Sequence, residues 1–116
     1  MRKLMIKRKK AIAGCAMKIK MYIEDIENYE LEIRGHRCRK LGDIKNNSEI
    51  IVEIGNGEQK IFAISDLPTK DVCGDMIIIP AGNENIVISG KNILSPVSGN
   101  PFIFDKNYKV LDILND

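Results

Sequence analysis

From residue 16 onward, apolar and polar side chains alternate with period two. Met17, Ile19, Met21 and Ile23 interleave with Lys18, Lys20, Tyr22 and Glu24, which predicts a half-buried strand. Tyr29, Leu31 and Ile33 alternate in the same way with Glu30, Glu32 and Arg34, and a second strand follows the first. Gly35 interrupts it, so a turn or bulge is expected at Gly35–His36 before weak periodicity resumes over Arg37–Leu41. Asp43–Ser48 reads as a turn. Ile50, Val52 and Ile54 then face one way, with Glu49, Ile51 and Glu53 opposite.

Gly55, Asn56, Gly57 and Glu58 follow that strand. Residues of this type tolerate positive φ, so a hairpin is expected into Gln59–Ser65. Ile61, Phe62, Ala63 and Ile64 lack clean alternation, which predicts burial on both faces or a central position. Asp66–Asp75 is a loop containing Pro68 and Gly74. Met76–Ile79 and Ile86–Ser89, joined by Pro80–Asn85, read as a second hairpin. Phe102–Phe104 adds an edge strand, and Tyr108–Leu114 is either a last strand or a short helix. Seven or so short strands joined by Gly, Asn and Pro turns predict an all-β, immunoglobulin-like antiparallel β-sandwich. Its single domain spans 16–116. A basic N-terminal segment, 1–15, precedes it, either a flexible, solvated tail or one ordered against the body.

Gly42–Ile54, followed by Gly57–Ile61, resembles the central hairpin of small bacterial PEGA-like and immunoglobulin-like β-sandwich modules. The resemblance implies a non-catalytic module and carries no site residues.

Composition narrows the class. In 116 residues, 44% are hydrophobic and no run of about 18 apolar residues occurs, so a folded domain without a spanning helix is expected. The net charge of +2 conceals an asymmetry: residues 1–20 hold eight of the 18 Lys and Arg and none of the 16 acids. Such a basic head can seek phosphate, or it can remain solvated or pair with acids of the body.

Ile12, Ala13, Gly14 and Cys15 mimic the box that precedes a lipidated cysteine. The basic cluster Lys7–Lys10 leaves too little apolar sequence before Cys15 for a signal peptide, so a cytoplasmic protein is expected. Cys15, Cys38 and Cys73 are odd in number and widely spaced, which supports neither a disulfide framework nor a zinc site. No cofactor is expected. The sole histidine, His36, lies two residues from Cys38, but no orienting partner completes a nucleophilic site, and the chain is read as a non-enzyme.

Two functions remain. Arg34, Arg37, Arg39 and Lys40, together with Arg8, Lys9 and Lys10, are candidate anion contacts for a nucleic-acid-binding β-barrel, with Tyr22, Tyr29 or His36 as stacking faces. The favoured reading is a small interaction module, binding an unknown protein or a second copy of itself. It rests on apolar residues such as Ile61–Ile64 and Ile77–Ile79, which exceed what one sheet face can bury. The competing cover for those residues is the segment 92–116.

Overall fold

The computed structural model describes residues 1–12, 18–65, 73–93, 102–105 and 109–110, and of residues 65, 73, 74, 109 and 110 the backbone alone. The strands are β1 (Arg2–Arg8), β2 (Ile19–Glu24), β3 (Leu31–Ile33), β4 (His36–Ile44) and β5 (Ser48–Ile54), then β6 (Gln59–Ser65), β7 (Cys73–Ile79), β8 (Ile86–Asn92), β9 (Phe102–Phe104) and β10 (Lys109–Val110). They form two sheets. The first runs β5-β1-β8, with β9 and β10 both paired along the far side of β8, and the second runs β3-β4-β2-β6-β7. All neighbours are antiparallel except β1 and β8, which are parallel.

Alternation decides which side chains meet between the sheets. Leu4, Ile6, Ile54, Ile86, Ile88, Phe102 and Phe104 come from the first sheet, and Ile19, Met21, Ile23, Ile44, Ile61, Ala63, Ile77 and Ile79 from the second. Each large side chain among them contributes roughly 1.5–3 kcal/mol of burial. The molecule is thus the all-β sandwich that the strand spacing predicts, built from ten described strands rather than about seven.

Three expectations require correction. The N-terminal segment is not a tail over Arg2–Arg8: these residues are an interior strand, paired with β5 on one side and β8 on the other. Gly55–Glu58 does not close a hairpin, because β5 lies in the first sheet and β6 in the second. Pro80–Asn85 likewise carries the chain from β7 in the second sheet to β8 in the first. Both connections have turn chemistry, but the apolar stripes they join face each other across the core instead of lying side by side.

A tight hairpin is formed by β3–β4. Its turn residues Arg34 (φ 49°) and Gly35 (φ 84°) both adopt positive φ, the conformation that suits a two-residue connection. In β4, Leu41 forms a bulge between the pairs Tyr22–Lys40 and Met21–Gly42 and packs against the core. The central position expected for β6 is observed: Ile61 and Ala63 face the other sheet while Phe62 is buried on the opposite face.

Candidate functional site

Two arginines expected in a solvated head instead close the sandwich. Arg2 and Arg8 share the inward face of β1 with Leu4 and Ile6, one at each end of the strand. Arg2 Nε donates to Gly55 O at 3.1 Å, and its Nη2 donates to Gly57 O at 3.1 Å and Pro80 O at 2.8 Å. One guanidinium therefore ties both crossovers at that end. At the other end Arg8, 1% exposed, donates from Nη1 to Ile44 O at 2.8 Å and from Nη2 to Asn92 Oδ1 at 2.9 Å. Arg8 is removed from the candidate anion contacts, because its donors are directed into the protein.

The remaining candidates fall into two groups. Lys9, near Asp105 at 3.9 Å, and Lys10 lie at the Arg8 end. Arg34, Arg37, Arg39 and Lys40 belong to the β3–β4 hairpin, which extends from the other end of the second sheet. Most of these cations have protein partners. Arg39 Nε donates to Asp25 Oδ2 at 2.8 Å, and this bond, assisted by the amides of Asn28 and Glu27, holds the Asp25 carboxyl below the usual carboxylate range. Lys40 Nζ lies 2.9 Å from Asp43 Oδ1, which raises the lysine and lowers the acid. Arg37 lies 3.8 Å from Glu32 and stacks over Tyr29 at 5.1 Å. Arg34 occupies the exposed turn. The two groups do not form one basic surface.

The outer face of the second sheet has a different character. Directly opposed residues share a face, so Tyr22, Phe62 and Met76 form one row across β2, β6 and β7. With Ile33, Cys38 and Ile64 they make a second apolar cluster, outside the sandwich core, in which Phe62 is 2% exposed. Leu31 opposes Cys38 at one margin and Ile78 opposes Lys60 at the other, 36% and 45% exposed. A buried apolar cluster therefore lies on this face, with exposed Leu31 and Ile78 at its two margins.

A small charged group sits within it. His36 Nδ1 lies 2.5 Å from Glu24 Oε2, Lys60 Nζ lies 3.7 Å from Glu24 Oε1, and the His36 ring packs on Phe62 at 5.2 Å. Glu24 and Lys60 were not legible as a pair because they are far apart in sequence and meet only through the register of β2 and β6. Cys38 Sγ is buried and donates to the His36 carbonyl at 3.5 Å, so the thiol is directed at backbone rather than at the imidazole. Among the described residues no three of His, Cys, Asp and Glu are placed to hold a metal ion. Cys15 and the side chain of Cys73 lie outside what is described. Among the described residues, no helix is long and apolar enough to cross a membrane. No family model matches this chain, and neither does any curated protein.

Proposed function

We propose that this chain is a non-catalytic protein-interaction module whose contact surface is the outer face of the second sheet. The observation that supports it is the second apolar cluster, Tyr22, Ile33, Cys38 and Phe62, flanked by Ile64 and Met76 and ending in exposed Leu31 and Ile78. A sheet needs one apolar face to pack a sandwich; on the other face the cluster is itself buried, and its exposed apolar margins, Leu31 and Ile78, are what a partner would meet. The His36–Glu24–Lys60 group inside it supplies orientation: paired charges in an apolar surround admit only a partner that leaves them satisfied. The resemblance to PEGA-like and immunoglobulin-like modules points the same way in function, although the resembling segment joins the two sheets and is no hairpin.

The second reading is phosphate or nucleic-acid binding. A shallow groove bounded by Lys7, Lys9, Asn47 and Ser48 at the Arg8 end favours it. Glu49 on the rim of that groove and Asp105 beside Lys9 weaken it.

A photo-crosslinking residue placed at Leu31 tests the first reading in the cell that makes the protein, with the same residue at exposed Glu84 as the reference. The expected result is a discrete protein adduct at position 31 and none at 84. Equal labelling at both positions, or none at 31, overturns it.

A further inference from the structure

The chain contains a single Asn-Gly step, Asn56–Gly57. It lies on the connection from β5 to β6, and both residues are exposed. In such a step the following residue has no Cβ to keep its backbone nitrogen away from the asparagine side chain. At Gly57 an added Cβ would meet nothing within 4 Å, so the space beside that nitrogen is open. Among the described residues, neither the Gly57 N–H nor the Asn56 side-chain amide is held by a hydrogen bond.

Other asparagines are placed differently. The Asn46 amide bonds the Ala11 backbone through both its oxygen and its nitrogen, at 3.1 and 3.2 Å. Asn85 Oδ1 accepts the Lys3 N–H at 2.7 Å, and Asn92 Oδ1 accepts from Arg8 at 2.9 Å. Asn83 is exposed like Asn56, but Glu84 follows it in place of a glycine.

We propose that Asn56–Gly57 is a self-modifying site, at which the folded protein converts Asn56 to isoaspartate and so loosens the end of the sandwich that Arg2 ties. The Gly57 nitrogen gives up its proton to hydroxide and attacks Asn56 Cγ. A new N–Cγ bond closes a succinimide as the Cγ–Nδ2 bond breaks, and the side-chain nitrogen leaves as ammonia, taking its added proton from water. Water then opens the ring. Cleavage of the N–Cγ bond gives aspartate, whereas cleavage between the ring nitrogen and the Asn56 backbone carbonyl gives isoaspartate, whose chain continues through Cγ.

The position of the step gives that product a consequence. Arg2 donates to Gly55 O and Gly57 O, both at 3.1 Å, one on each side of Asn56. Asn56 O itself accepts the Gly82 N–H at 2.8 Å, which joins this connection to the one between β7 and β8. Isoaspartate lengthens the backbone between Gly55 and Gly57 by a methylene and turns the Asn56 carbonyl into a carboxylate on a side branch. The two Arg2 acceptors then lose their spacing, and the Gly82 N–H loses its fixed acceptor. Aspartate leaves the backbone as it was and does neither.

Ageing of the purified full chain at neutral and at mildly alkaline pH tests the proposal. Cleavage after glutamate releases Ile54–Glu58, with Asn56 as its single asparagine, and the peptide 59–84, whose single asparagine is Asn83. In mass spectrometry the amide-to-acid mass gain is expected to accumulate about tenfold faster, or more, in the first peptide than in the second, where a side chain follows the asparagine. The rate should rise with pH, and backbone fragmentation should show isoaspartate in excess of aspartate. Gly57→Ala, whose Cβ meets nothing, should fold as the parent does and slow the reaction by about tenfold or more. Should that variant fail to fold, Asn56→Gln, whose longer side chain closes its ring far more slowly, replaces it.

Hydrogen exchange reads the consequence. The Gly82 amide should exchange about tenfold faster in the aged parent than in the fresh parent, a local opening. Aged Gly57→Ala and freshly prepared Asn56→Asp should keep the fresh rate. Equal reaction of the two peptides, or a Gly57→Ala protein that reacts as fast as the parent, overturns the site. Isoaspartate formed without faster exchange at Gly82 overturns its coupling to the Arg2 end.

Discussion

Arg8 shows how much one buried side chain can organise. Its guanidinium reaches two strands of different sheets, through Ile44 O at the end of β4 and Asn92 Oδ1 at the end of β8. Arg8→Met keeps the volume and removes both donors, leaving buried acceptors without them. This is expected to cost about 2–4 kcal/mol in urea unfolding, whereas Lys9→Ala should change stability by less than about 0.5 kcal/mol. The contrast separates the two cations that adjoin in sequence: one is part of the interior and the other faces water. Asp25 provides a residue-scale test in pH. Its carboxyl is lowered by Arg39, so its contribution to stability is present above the unfolded carboxylate value and is lost as pH falls through the lower folded value. In NMR titration Arg39→Ala should move the Asp25 midpoint upward toward 3.8. An unmoved midpoint would mean that Arg39 is not what holds it.

At the scale of elements, the close approach of β8 and β9 depends on Gly90. A Cβ there would fall 2.5 Å from Phe102 Cζ and 2.6 Å from Ile103 O, so either the strand or the aromatic ring would have to move. The ring is fully buried and stands edge-on to Phe104 at 5.2 Å. Gly90→Ala is therefore expected to destabilise by about 1–3 kcal/mol, the usual range for overpacking. Gly57→Ala, with open space at its Cβ, should stay within about 0.5 kcal/mol. Thermal or urea unfolding of both variants checks the difference, and similar losses would show that β9 can yield. Elements also mark where local reading of the chain stops. The alternation over β2 and β5 was legible because one residue in two is aliphatic and inward. β1 was not, because its inward positions are Arg2, Leu4, Ile6 and Arg8, so two of the four side chains facing the core carry charge. Read by residue class alone, such a strand is a basic tail. Only the carbonyls of residues 44, 55, 57 and 80, distant in sequence, make those arginines interior groups.

For the whole molecule, turn chemistry was legible and strand pairing was not. Gly55–Glu58 and Pro80–Asn85 reverse the chain as expected, yet each leads to the facing sheet. A turn fixes that the chain reverses, while the partner of each strand is decided by which apolar faces can close on a common core. The candidate site divides in the same way. The basic residues were visible as clusters in sequence, but the fold buries one, pairs several and sends the rest to opposite ends. The outer apolar face was foreshadowed by Phe62 and Ile78, which exceed what one face can bury, while its full extent needed the register of five strands. What unites these observations is an outer face that carries a buried apolar cluster with exposed apolar margins, and cations largely engaged by the protein itself.

The salt dependence of the position-31 adduct measures that claim most directly. In a lysate brought from about 50 to about 500 mM NaCl before irradiation, an apolar contact should give a constant or rising yield, since screening acts on charges and leaves apolar burial intact. A yield that falls steeply across the same range, as release of counterions from phosphate contacts requires, would contradict the account and return the function to the basic residues.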